Sequence, residues 1–144
     1  MKLIPLIDRT GDVRAWADRS TGWISNLNGK IFALIEFDGV FKAQAIAEQI
    51  GWFDGDHLRD RRGRVVLVRP SAKIDGLVMP HPQKIPPAPR LRLPTGRPLL
   101  KWLLPPPMKQ RAWADLESLF DDGLAQIRAF EEQVRSFASK PVHS

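Results

Sequence analysis

The chain has 144 residues, 43% of them hydrophobic, and a formal net charge of +6. That composition suits one small globular domain with appendages and excludes a wholly disordered chain. Cysteine is absent, which removes disulfides, thiolate catalysis and cysteine-ligated zinc and fits a reducing compartment.

The N-terminal run Met1 to Asp8 is too short for a signal-peptide core and is interrupted by Pro5. No stretch approaches the roughly 18 apolar residues of a membrane span. A cytoplasmic protein is therefore expected. Charge is uneven. Residues 1–58 hold 6 basic and 8 acidic side chains, residues 59–111 hold 13 and 2, and residues 112–144 hold 3 and 6. Eleven of the 13 prolines lie between Pro70 and Pro107. These shifts divide the chain into a repeat region (1–70), a basic Pro-rich extended arm (71–110), a C-terminal helical segment (111–139) and a disordered tail (140–144).

The first region repeats itself. The segment from Asp8 to Asp18 aligns with Asn26 to Glu36, with Gln44 to Asp54 and with Asp60 to Pro70, at steps of 18, 18 and 16 residues. Three copies share Asp/Asn-x-x-Gly. The acidic or amide side chain accepts hydrogen bonds from the turn backbone, and Gly takes the left-handed conformation. A type I turn followed by a left-handed Gly closes a hairpin through a bulge. The third copy lacks both residues, so its turn must differ.

After each turn comes an alternating strand. Four residues on from the turn-Gly position stand Ala15, Ala33, Gly51 and Leu67, three of them small. The next is Trp16, Leu34, Trp52 and Val68, all large. Small residues at one level suggest backbones converging near an axis. Ile7, Ile24, Phe41 and Leu58 precede the turns, and Ser20-Thr21-Gly22, Asp38-Gly39 and Asp54-Gly55 mark the joints between copies. A lone hairpin is marginal in water, whereas four packed together bury a shared core. The region is expected to be a self-sufficient β domain. The bland alternative is an ordinary antiparallel barrel or meander with chance similarity.

The Asp-x-x-Gly turns, the pairs Ala15-Trp16 and Gly51-Trp52, and Ile50-Gly51-Trp52-Phe53 before Asp54-Gly55-Asp56-His57 resemble the four-fold β-flower domain proteins of bacteria. The resemblance covers about residues 1–70. It implies a compact pseudo-four-fold arrangement of β-hairpins, and it implies no activity, catalytic residue or cofactor. The fold class is thus mainly β, with four hairpin repeats, a Pro-rich extended arm and a C-terminal α-helix.

Proline fixes φ and disfavours helix in the residue before it, so the arm should be extended, often as polyproline II. Its apolar residues, Leu91, Leu93, Leu99, Leu100, Trp102, Leu103 and Leu104, exceed what a dangling linker needs. Part of it should lie along the flower or in a partner's groove. Two other readings compete: Pro86 to Arg92 as a basic polyproline ligand, and the arm's cations as phosphate contacts to nucleic acid. Against the second, only Trp102 offers a stacking platform in the arm. A membrane contact through residues 99–104 is disfavoured by the short, proline-bounded run.

Leu116, Phe120, Ile127, Phe130, Val134 and Phe137 recur at spacings near three and four, an apolar stripe on a helix. It could dock on its own domain or pair with another chain. Leu99, Leu100, Trp102, Leu103, Ile127, Phe130, Val134 and Phe137 are the candidate partner-binding residues.

Catalytic candidates are few. His57, His81 and His143 lie in three different regions without metal-ligand neighbours at helical spacing. Asp54, Asp56 and His57 could hold a metal, but they read first as a solvated turn. No phosphate-binding loop, nucleophile elbow or helical zinc motif appears. Asp18, Glu36 and Asp54 share one repeat position, which in a closed flower would ring one face for a cation or a basic partner, although polar residues are ordinary at strand ends. Pro70 breaks any such ring. No cofactor or metal is expected. The reading that follows is a non-enzymatic protein-interaction or assembly module, acting on a protein partner or a second copy, with nucleic-acid association as the alternative.

Overall fold

The computed structural model describes residues 2–94, 96–100 and 105–120. Eight strands close into one antiparallel barrel: β1 (Leu3–Ile7), β2 (Val13–Asp18), β3 (Trp23–Ser25), β4 (Ile31–Glu36), β5 (Gly39–Lys42), β7 (Gln49–Phe53), β8 (His57–Asp60) and β9 (Val65–Val68). The two-residue strand β6 (Ile46–Ala47) sits in the β5–β7 connection and pairs outside the barrel with β10 (Leu99–Leu100). The four hairpins hydrogen-bond to one another, and the Ile7–Val68 pair shuts the ring. Closure leaves no barrel strand with an open edge.

Three of the four hairpin tips are built alike. The side-chain oxygens of Asp8, Asn26 and Asp60 each accept hydrogen bonds from backbone N–H groups two and four residues on. The N–H of Gly11, Gly29 and Gly63 donates to the carbonyl of the same Asp or Asn. These glycines have φ of 89°, 84° and 82°, where a side chain is strained. Each tip shifts the strand register by a bulge, between Leu6 and Ile7, Ile24 and Ser25, and Leu58 and Arg59. The third tip, without Gly, bends through residues 43–45 into β6.

Alternation sorts the side chains. Leu6, Ala15, Ala17, Ile24, Ala33, Val40, Leu58 and Leu67 fill the interior and are at most 1% exposed. Gly51 sits at the same repeat position as Ala15 and Ala33, where a Cβ would lie 2.0 Å from the Arg59 carbonyl oxygen. Outside the wall, Ile7, Val13, Trp16, Val65 and Val68 form a second apolar layer. Ala72, Ile74, Leu77, Met79 and Trp113 cover it.

The Pro-rich arm is laid around the barrel as a belt. The backbone N–H of Gln83 donates to Gly11 O at the first tip, that of Arg92 to Gly29 O at the second, that of Leu99 to Ala45 O at the third, and that of Gln110 to Gly63 O at the fourth. The belt therefore visits the tips in hairpin order. None of the four donors is a proline, which has no N–H to give. At the three Gly tips, a Cβ on the glycine would lie 1.9, 2.0 and 2.2 Å from the carbonyl oxygens of His81, Arg90 and Met108. The turn glycine thus serves the belt as well as the turn.

The start of the segment assigned to helix over 111–139 departs from that expectation, while its residues 121–139 and the tail 140–144 lie outside the described residues. Residues 112–114 run extended: Val65 N–H donates to Ala112 O and Ala114 N–H to Val65 O. A ladder partner on β9 outcompetes helix there, and helical geometry begins only at Ser118. Residues 116–120 then plug the tip end of the barrel. Leu119 is 1% exposed within the core, Phe120 meets Phe32 edge-on at 5.8 Å, and Ser118 Oγ donates to Asp60 Oδ2. No helix among the described residues is long and apolar enough to cross a membrane.

Candidate functional site

Two regions combine open space with chemistry. The first lies at the end of the barrel away from the tips. Asp18, Glu36 and Asp54 line one cavity of ≈ 590 Å³ together with Asp38, Arg19 and Arg97. The shared repeat position does gather these carboxylates. Each is nonetheless engaged in the fold. Asp18, fully buried, accepts from Ser20 N–H, Ser20 Oγ and Thr21 Oγ1. Asp54 accepts from Asp56 N–H, His57 N–H and the His57 ring at 2.9 Å. Glu36 pairs with Arg97, which also donates to Thr21 O and lies 5.6 Å over the Trp23 ring. No group of three metal-ligating side chains forms among the described residues. The Asp54-x-Asp56-His57 sequence is turn chemistry here.

Burial alone would raise the Asp8, Asp18 and Asp54 pKa values, but hydrogen bonds outweigh it and hold all three below the ordinary carboxylate value. At Asp8 the donors are the Thr10 hydroxyl and the Thr10 and Asp12 backbone, with Arg14 adding charge. At Asp18 they are the Ser20 and Thr21 hydroxyls and the Ser20 backbone, and at Asp54 the His57 ring and the backbone of Asp56 and His57. A lowered folded-state pKa contributes stability that is present above the unfolded value, near pH 4, and is lost as pH falls through the folded values. Urea-unfolding free energy should fall progressively below about pH 4. The fall should be shallower in Asp18→Asn, and an identical slope in that variant would contradict the assignment.

The barrel rim also carries Phe37. It and Asp38 form the two-residue β4–β5 turn with φ of 51° and 63°, and Phe37 is 79% exposed. The turn dipeptide is thus Phe37-Asp38, one residue earlier than the Asp38-Gly39 read from the sequence. An aromatic residue in left-handed backbone is uncommon, and this position favours Asn, Asp or Gly.

The second region is the outer face of the belt. Val78, Leu99 and Met108 are 89%, 75% and 85% exposed. Of the candidate partner-binding residues, Leu99 is exposed and Leu100 half-buried on β10. Trp102, Leu103, Ile127, Phe130, Val134 and Phe137 lie outside the described residues. Between the second and third hairpins the belt borders two adjoining clefts of ≈ 450 and ≈ 320 Å³ that share Ala43 and Pro94. Lys30 and Arg92 line one, Arg97 and Leu99 the other, and among the described residues no carboxylate lines either. Phe37, Ile46 and the Lys30–Arg92 pair carry no motif in the sequence that marks them as site residues. The belt's contacts run backbone to backbone, so no side-chain motif marked where its outer face would fall.

No curated protein and no solved structure matches the chain. The model of the 4-fold beta flower protein family matches residues 4–120, which span the barrel, the belt and the plug. The match ends on Phe120, the residue where the plug rests on Phe32. On that match over most of its length, the chain belongs to the 4-fold beta flower family.

Proposed function

We propose that the protein is a non-enzymatic interaction or assembly module whose belt, seated on the barrel tips, presents its outer face to a protein partner. One observation carries this reading: backbone bonds at all four tips fix the belt, yet Val78, Leu99 and Met108 stand out from it almost fully exposed. A belt needed only to cover the barrel would turn such side chains inward. Ordering the belt in advance lowers the entropy that a partner must overcome on binding. Asp18 and Asp54 of the ≈ 590 Å³ cavity are committed to turns and Glu36 to Arg97, which favours a binding role over catalysis.

The polyproline-ligand reading weakens, because Arg92 already spends its N–H on Gly29. Nucleic-acid association lacks an exposed aromatic platform on the described belt. The test is affinity capture from the host's own lysate with the intact chain and with a Val78→Ser, Leu99→Ser, Met108→Ser variant. The variant should keep its melting temperature and lose the proteins that the intact chain retains. Equal recovery by both chains would contradict the proposal.

A further inference from the structure

We infer that the groove between the second and third hairpins, bordered by belt residues 92–94 and 96–99, takes an extended acidic peptide segment of a partner protein. The inference rests on the interaction-module reading and names its site.

The groove lies where the repeat breaks its own rule. Three tips present a glycine that the belt crosses closely. The third presents Ala45, and there the belt pairs in parallel register instead, Leu99 with Ile46 and Leu100 with Ala47. Among the described residues, β10 pairs with no strand other than β6, so its outer edge can add another extended chain. The Leu99 and Ile46 side chains beside that edge are 75% and 58% exposed.

Charge then selects the occupant. Lys30 and Arg92 sit at a parallel bridge on the rim and make no ion pair among the described residues. Arg97 lies further along the same groove. Arg97 is already paired with Glu36, so the selecting cations are Lys30 and Arg92; with no lining carboxylate among the described residues, they favour an anionic chain. The apolar pair Ile46 and Leu99 favours one with apolar side chains alternating with acids, as an added strand would display them. A single-stranded nucleic acid fits less well. Among the described residues Trp23 is the one aromatic lining the groove, and it is 6% exposed with Arg97 over its ring, a poor platform for a base to stack on.

The test uses fluorescence anisotropy of short labelled peptides with the full chain. A peptide alternating glutamate and leucine should bind saturably, and one alternating lysine and leucine should not. Lys30→Glu and Arg92→Glu should each weaken binding about tenfold or more. Lys84→Glu makes the same change in net charge at an exposed belt site between the first and second tips, and should have little effect. Thermal melts confirm that the three variants fold.

Equal weakening by Lys84→Glu would reduce the effect to net charge and overturn the inference. So would binding of the lysine peptide, or tighter binding of oligothymidylate lost in the same variants. If the glutamate peptide fails while the Val78, Leu99, Met108 variant still loses its partners, the groove falls and the module reading stands.

Discussion

Leu119→Ala is expected to destabilise the protein by about 3 kcal/mol, within the range for truncating a fully buried leucine. The reason is the plug. Leu119 is 1% exposed and lies against Gly51, with its Cδ2 3.3 Å from where a Gly51 Cβ would stand. Its neighbours are held by the Phe120–Phe32 contact and by Ser118 on Asp60, so the wall cannot easily collapse onto the vacated space. Leu93→Ala, at a belt leucine 48% exposed, should cost well under about 1 kcal/mol. Urea unfolding of both variants makes the comparison. Equal costs would mean that Leu119 is no part of the core. The same argument predicts that residues 1–70 alone are less stable than the full chain, a difference that urea unfolding of the fragment measures. That fragment lacks Leu119, the belt's apolar cover over Trp16, and the Ala112 carbonyl that accepts from Val65 N–H.

The second large effect is expected at Gly29. An alanine there must hold φ near 84°, which costs about 1–2 kcal/mol for an L residue. Its Cβ would also stand 2.0 Å from the Arg90 carbonyl oxygen, a backbone atom that cannot swing away. The belt must lift off the second tip, so the total should reach about 3 kcal/mol. Gly55→Ala isolates the backbone term: φ is 99°, but the nearest atom is the end of the Arg19 side chain at 3.6 Å. That variant should cost about 1–2 kcal/mol. The difference between the two is the contribution of the seated belt. Equal destabilisation would show that the belt does not occupy the tip.

The hairpin tips were legible in the sequence because turn chemistry is local. Asp8, Asn26 and Asp60 each bond to their own next four residues, and the glycine's left-handed φ leaves a fixed mark three positions on. Barrel closure was less legible, since the Ile7–Val68 pair joins residues remote in sequence and carries no distinctive residue type. The belt was harder still. Its stations at residues 83, 92, 99 and 110 are spaced 9, 7 and 11 apart, and their only trace is the absence of proline at each donor.

The plug was merged with the tail. Leu116 and Phe120 fit the helical stripe that runs on to Phe137, whereas Leu119, the side chain that enters the core, falls beside that stripe. Of the candidate sites, the carboxylate cluster followed from repeat position alone. That its members are engaged could not be read, because Arg97, the partner of Glu36, is 61 residues away. The groove depends on two segments meeting, Lys30 with Arg92 and Ile46 with Leu99, and neither pair has a local signature.

The central claim is that barrel, belt and plug are one cooperative unit, and amide hydrogen exchange tests it most directly. The N–H groups of Gln83, Arg92, Leu99 and Gln110 each have a backbone acceptor on a different tip. They should exchange slowly, with opening free energies approaching that of Val65 within the barrel. Exchange of those four amides at unstructured-peptide rates, while Val65 stays protected, would show that the arm does not ring the barrel.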